Sequence, residues 1–132
     1  MAPKFKIYDY VNKNGVNEFK GWTNNLQKTQ RAKLNEKLDK LKMNGDSLMP
    51  QLLSDSDTPG IKKLRIKADN VQLRPLLCNG PVNYELEYTL LMGAIEKDWK
   101  LIPQDATDKA NRKRLEVVSD PDNRRKEHER VN

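Results

Sequence analysis

Three cationic side chains recur at every second position near the middle of the chain, at Lys63, Arg65 and Lys67. In an extended strand such residues lie on one face, roughly 6.6 Å apart. This is close to the spacing of phosphates along a nucleic-acid strand, so residues 62–67 are predicted to contact a nucleic-acid backbone. A solvated face of a sheet has the same alternation, and the pattern alone does not separate the two interpretations.

Arg74 adds a fourth cation if a turn at residues 69–70 folds the next strand back beside this row. Four cations on one face repel one another unless a bound anion neutralises them, which favours a binding site for an anion. The register of the turn decides whether Arg74 lies on this face. A shift by one residue would send Arg74 to the helix-packed face, where Glu85 or Glu87 would have to pair with it.

The elements that would position these residues follow from hydrophobic periodicity and turn signals. The predicted elements are a strand at 4–11, helices at 16–25 and 27–43, a loop at 48–58, strands at 61–68, 71–78 and 84–95, and a helix at 104–118. The two N-terminal helices form either one kinked element or a helical hairpin. The order predicts an α+β fold, in which an antiparallel sheet of about four strands packs against two N-terminal helices, with a short C-terminal helix.

The length of 132 residues fits one domain, expected at residues 1–118. Residues 119–132 are almost wholly polar or charged and are expected to form a flexible tail.

The composition limits the chemistry. A formal charge of +6 favours polyanionic partners such as nucleic acid. Cys78 is the only cysteine and His128 the only histidine, so intramolecular disulfides and multi-cysteine metal sites are excluded, and histidine-based zinc or triad chemistry has little material. No cofactor and no metal are expected.

The chain lacks a signal-like or membrane-spanning apolar run, so we expect a cytoplasmic protein without a membrane partner.

Three short segments carry a resemblance to a known family. They are Leu-Arg-Ile-Lys at 64–67, Leu-Arg-Pro-Leu-Leu at 73–77 and Leu-Leu-Met-Gly at 90–93. In order and spacing they resemble the RelE/HigB toxin superfamily, most closely its phage-derived Gp49-like branch. Similar positions farther on are filled by Lys97, Lys100, Pro103 and Ala110, and the similarity covers residues 5–114.

The resemblance implies a RelE-like fold and the toxin half of a type II toxin–antitoxin system. Such a toxin acts as a ribosome-dependent, metal-independent mRNA endoribonuclease, so the implied partners are a cognate antitoxin, the ribosome and mRNA. Cations must stabilise the charge that develops on phosphorus. The catalytic residues would be Arg74, which would stabilise transition-state charge, and Arg65 and Lys67. Lys63, Lys97 and Lys100 would contribute to RNA binding.

Some positions depart from the family pattern. Glu96 stands where an additional Lys or Arg is common, and the usual proton-transferring tyrosine or histidine has no clear counterpart. Trp99 could stack on a base of the RNA. Tyr88 is a candidate substitute, although a tyrosine in the middle of a strand is more often a packing residue.

Two other functions stay open. The departures favour a non-catalytic nucleic-acid-binding or protein-interaction module on the same fold. The other is a gyrase-directed toxin of the ParE type, which the sequence does not exclude.

Overall fold

Four α-helices and one 3-10 helix form in residues 3–132, the part of the chain that this computed structural model describes. They are α1 (Glu18–Asn24), α2 (Lys28–Asn44), the 3-10 helix (Gly45–Leu48), α3 (Ala106–Ser119) and α4 (Pro121–Arg124). The strands of the same residues are β1 (Lys6–Tyr10), β2 (Leu53–Asp55), β3 (Lys62–Leu64), β4 (Ile66–Ala68), β5 (Val71–Leu73), β6 (Leu76–Asn79), β7 (Glu87–Met92), β8 (Ile95–Lys97), β9 (Lys100–Ile102) and β10 (Arg125–Glu127).

The two N-terminal helices are separate elements, each with its own end signals. The side chain of Asn17 caps α1 by accepting a hydrogen bond from the backbone N–H of Lys20 (3.0 Å). α2 buries Leu34 and Leu38 on one face and ends at Gly45, whose φ of 55° suits a residue without a side chain. The choice between one kinked helix and two helices is thereby settled in favour of two.

The strands form two sheets. The larger sheet has the order β10-β1-β7-β6-β3-β2, and within it β1 and β7 run parallel while the other neighbours are antiparallel. The smaller sheet, in the order β4-β5-β8-β9, is antiparallel and consists of two adjacent hairpins.

Both faces of the larger sheet are covered, because alternate residues of its central strands enter different hydrophobic clusters. Leu77 and Leu90 pack with Leu34 and the other apolar residues of α1 and α2. Leu76 and Leu91 pack on the opposite face, with the buried residues of α3.

The predicted sheet of about four antiparallel strands against two N-terminal helices is wrong. The described residues contain ten strands in two sheets and four α-helices, and the six-stranded sheet is mixed. This is a larger, sheet-rich α+β fold than the RelE-like one expected from the resemblance.

This difference has a local cause, since the three predicted strands at 61–68, 71–78 and 84–95 are each broken in two. Pro75 has no backbone N–H and interrupts the ladder between β5 and β6. On the facing strand, the N–H of Arg65 donates to the carbonyl of Leu52 (2.7 Å), which separates β3 from β4. Gly93 separates β7 from β8, and the ring of Trp22 lies so close that a Cβ at residue 93 would overlap it.

Residues 119–132 contribute α4 and β10. β10 pairs antiparallel with β1, with Tyr8 opposite Glu127. Beyond it, His128 Nδ1 lies 2.8 Å from Oδ1 of Asp9, and both side chains are buried. Arg130 contacts Asp39 on α2 (3.0 Å). Strand pairing, the contact between His128 and Asp9 and the ion pair between Arg130 and Asp39 together hold the end of the chain on the domain, despite its polar composition.

Candidate functional site

The β4–β5 hairpin places four polar side chains on one face. Its turn residues Asp69 and Asn70 have φ values of 54° and 62°, the left-handed conformation that a two-residue hairpin requires. The register pairs Lys67 with Gln72 and Ile66 with Leu73. One step farther along, Arg65 and Arg74 emerge on the face that carries Lys67 and Gln72.

Helix α2 supplies the facing wall. Thr29, near the start of α2, donates a hydrogen bond to the carboxylate of Asp69 in the hairpin turn. Lys33 and Lys37, one helical turn apart, extend toward the hairpin. Together the elements enclose a cleft of about 430 Å³. The residues lining this basic cleft are Lys33, Lys37, Leu52, Arg65, Ile66, Lys67, Gln72 and Arg74.

Five of these lining residues are cations, and none of the described lining residues is a carboxylate. Burial, reinforced by the neighbouring charge of Lys40, lowers the pKa of Lys37 from its ordinary value. Glu36 on the rim offsets part of the charge, with Oε2 3.5 Å from Nζ of Lys33 and Oε1 3.8 Å from Nζ of Lys37. These lysines, Lys33 first, lower the pKa of Glu36.

Arg74 forms the floor of the cleft and is only 6% exposed. Nη1 donates to the carbonyl of Leu73 (2.9 Å) and Nη2 to Oε1 of Gln72 (2.6 Å). Nε lies 3.4 Å from Oε1 of Glu96, an ion-pair contact without hydrogen-bond geometry, so Nε is unsatisfied among the described residues. Burial lowers the pKa of the Arg74 guanidinium, and Glu96 opposes that shift.

Lys63 lies apart from the row that alternation predicted. Its Nζ is 3.8 Å from Oε1 of Glu96, and it lines a second cavity rather than the cleft. The break at Arg65 explains this, because Lys63 belongs to the larger sheet and Lys67 to the smaller one. Glu96 thus bridges the two groups of cations from β8.

The β8–β9 hairpin carries the other predicted RNA-binding residues. Trp99 is 94% exposed at its tip and, with Lys100, lines the second cavity. Lys97 is exposed on the same hairpin but lines neither this cavity nor the basic cleft.

Tyr88 lies in the hydrophobic core, 1% exposed, and does not line the cleft. Its hydroxyl donates to Oδ1 of Asp46 (2.6 Å), which also receives Lys62 Nζ on Oδ2 (3.1 Å). Burial and this bond raise the pKa of Tyr88. Burial alone would raise the pKa of Asp46. The hydrogen bonds from Tyr88 and Lys62 have the larger effect and hold that pKa below its usual range. Tyr88 therefore has a structural environment, as a packing residue would.

The structure thus brings Arg65, Lys67 and Arg74 together and adds residues that the strand pattern did not select. Lys33 and Lys37 belong to a basic face of α2 that looks in sequence like any solvated helix face. Their spacing of four residues was visible, but the position of α2 against the hairpin was not.

Comparison with models of known protein families, with curated proteins and with solved structures found no match to this chain. Within residues 3–132, no helix combines the length and apolar character needed to cross a membrane. Over the same range no three His, Cys, Asp or Glu side chains are grouped so as to hold a metal ion.

Proposed function

We propose that this protein binds single-stranded RNA by placing successive backbone phosphates in the basic cleft. The observation that supports this most directly is the convergence of five cations on one cavity with no carboxylate in its described lining. Cations held this close repel one another. An anionic backbone removes that repulsion and releases its own counterions on binding.

The shape of the cleft favours a single strand. Its volume of about 430 Å³ lies within the range of ligand pockets, roughly 300–1,000 Å³. It admits a few groups of a flexible chain, and Arg74, only 6% exposed, offers little surface to a rigid duplex. The preference for RNA over DNA comes from the resemblance of residues 64–67 and 73–77 to RNA-cleaving toxins.

Binding of a labelled short single-stranded RNA, followed by fluorescence anisotropy, tests the proposal. Arg65→Ala should weaken binding about tenfold, the usual effect of losing one charge-assisted hydrogen bond. Lys126→Ala on β10 is the matched control, since it removes an exposed charge from the strand at the opposite edge of the larger sheet. No binding at low salt, or equal losses in the two variants, would refute the cleft as the RNA site.

A second candidate is the toxin half of a type II toxin–antitoxin pair, acting as a ribosome-dependent mRNA endoribonuclease. The observation that favours it is that Arg65, Lys67 and Arg74 share one cleft. In such cleavage the ribose 2′-oxygen forms a bond to phosphorus as the P–O5′ bond breaks. One group accepts the 2′-hydroxyl proton, and the 5′-oxygen takes up another.

Cleavage requires stabilisation of the charge on phosphorus and transfer of protons, and different residues of the cleft are suited to each. Arg74 already donates one N–H of Nη1 to Leu73 and one N–H of Nη2 to Gln72. It would stabilise the phosphorane by its positive charge and through the terminal N–H groups that remain. Lys37, with its lowered pKa, is the group of the cleft best suited to transfer a proton.

Induced expression in bacteria, with sequencing of transcript ends, tests this second candidate. The expected result is growth arrest with new 2′,3′-cyclic phosphate ends, relieved by Lys37→Ala and retained in Lys126→Ala. A folded, RNA-binding protein that leaves growth and transcripts unchanged would exclude cleavage and leave binding in place. A cognate antitoxin is the expected partner, and its acidic segment would compete with RNA for the cleft.

A further inference from the structure

The second cavity, of about 390 Å³, lies beside the β8–β9 hairpin and has a different character from the basic cleft. It is lined by Ser56, Asp57, Lys63, Glu96, Trp99, Lys100, Leu101, Gln104 and Thr107, and we call it the Trp99 pocket. The turn at Asp98 and Trp99, with φ values of 52° and 67°, holds the indole 94% exposed at the mouth. An indole held in this way offers a flat apolar surface on which a base can stack.

A third, smaller cavity of about 240 Å³ shares lining residues with both the Trp99 pocket and the basic cleft. It is lined by Gln72, Glu96, Asp98 and Trp99. Gln72 also lines the cleft, while Glu96 and Trp99 also line the pocket. A strand whose phosphates occupy the cleft can therefore pass Gln72 and place a neighbouring base at Trp99.

An unpaired hydrogen-bond acceptor distinguishes the Trp99 pocket from the basic cleft. The carboxylate of Asp57 is exposed and has no hydrogen-bond or ion-pair partner within residues 3–132. By contrast, Glu96 is already paired with Lys63 and Arg74. A free carboxylate accepts two parallel hydrogen bonds. Of the four RNA bases, only guanine presents two adjacent donors on one edge, N1–H and the N2 amino group.

We propose that the Trp99 pocket takes a guanine base of the RNA strand bound in the basic cleft, stacked on Trp99 and hydrogen-bonded through N1–H and N2–H to Asp57. This inference rests on the proposed RNA binding. It adds a base preference to a cleft that, by itself, contacts only phosphates.

Oligouridylates with one central G, A or C, and oligouridylate itself, provide the first test by fluorescence anisotropy. The guanine-containing strand should bind roughly tenfold more tightly than the others, the discrimination typical of a bidentate base contact. Trp99→Leu should lower its affinity about tenfold, while Trp99→Phe, which keeps an aromatic face, should lose less.

Asp57→Asn separates recognition from overall charge. Removing a negative charge strengthens the binding of every strand, so the measured quantity is the ratio of guanine to adenine affinity. That ratio should fall toward one in Asp57→Asn. Asp55→Asn is the matched control, because Asp55 is an exposed carboxylate two residues away that does not line the pocket. A ratio unchanged in Asp57→Asn, or lowered equally in Asp55→Asn, overturns the assignment.

A mononucleotide titration makes failure of this inference distinguishable from failure of RNA binding. The indole N–H resonance of Trp99, assigned by its loss in Trp99→Phe, should move with guanosine 5′-monophosphate and much less with adenosine 5′-monophosphate. Strands that bind without preference for guanine refute the base pocket and leave the cleft intact. A guanosine response without RNA binding refutes the cleft and supports the pocket, and no response at Trp99 refutes the pocket.

Discussion

The charge of Lys67 should be visible in the salt dependence of RNA binding. Besides Arg74, whose guanidinium is held by internal hydrogen bonds, four cations line the basic cleft: Lys33, Lys37, Arg65 and Lys67. Lys33 and Lys37 also contact Glu36 on α2, a partner that a phosphate would have to compete with. For single strands the slope of log affinity against log salt is about −0.7 for each neutralised phosphate, which gives about −2.8 for four. Raising salt from about 50 to about 200 mM should then weaken binding by about 50-fold.

Lys67→Ala removes one of the four contacts and should reduce the slope to about −2.1, so that the same change of salt weakens binding by only about 20-fold. Lys126→Ala removes the same charge outside the cleft and should leave the slope unchanged. Anisotropy titrations at four or more salt concentrations give both slopes. An unchanged slope in Lys67→Ala, or an equal reduction in the control, would show that the phosphates do not lie in the cleft.

Three further predictions concern single residues. Because burial lowers the pKa of Lys37, its charge is lost at a lower pH than that of an ordinary lysine. RNA affinity should therefore fall as pH rises through that value, and a pH titration of Lys37→Arg should lack this step. Gly93→Ala should destabilise the fold by about 1–3 kcal/mol in urea denaturation, because the new Cβ would overlap the ring of Trp22. Tyr88→Phe should lower the free energy of unfolding by about 1.5 kcal/mol at neutral pH. The folded-state pKa of Asp46 is depressed, so the stabilisation is present above its unfolded value and is lost as pH falls through the folded one. The deficit of Tyr88→Phe should accordingly shrink in acid, and a deficit independent of pH would contradict this reasoning.

Local signals in the sequence were informative where one residue determines the backbone. The turn at residues 69–70 was predicted from an Asp-Asn pair, and both residues adopt the positive φ values that such a turn requires. The second helix, predicted to end at Met43, ends one residue later at Asn44, where the sequence has a glycine as the next residue. In both cases the conformation is set by the residues themselves, so no tertiary information was needed.

Tertiary placement was not readable in the same way. The alternation of residue types predicted one strand at 61–68, with Lys63 and Lys67 in the same row of side chains. The two residues lie in different sheets. The contact that separates them, from the N–H of Arg65 to Leu52, joins residues far apart in sequence and leaves no local pattern. The elements of residues 119–132 were not readable from the sequence for a related reason. The side chain of His128 is buried against Asp9, 2.8 Å from its carboxylate, and a partner over a hundred residues away cannot be recognised from composition.

The strand breaks at Arg65 and Pro75, which the sequence did not predict, also produce the basic cleft. In a continuous hairpin, Arg65 and Arg74 would face each other in mid-ladder with no cavity beside them. The break at Arg65 and the missing N–H of Pro75 divert the chain into two sheets. Arg74 is thereby retained at the junction, and both of its backbone groups are bonded to Ala94, which lies between β7 and β8 (2.8 and 3.2 Å). Its guanidinium is held beneath the cleft before any ligand arrives, which reduces the ordering that phosphate binding would otherwise require.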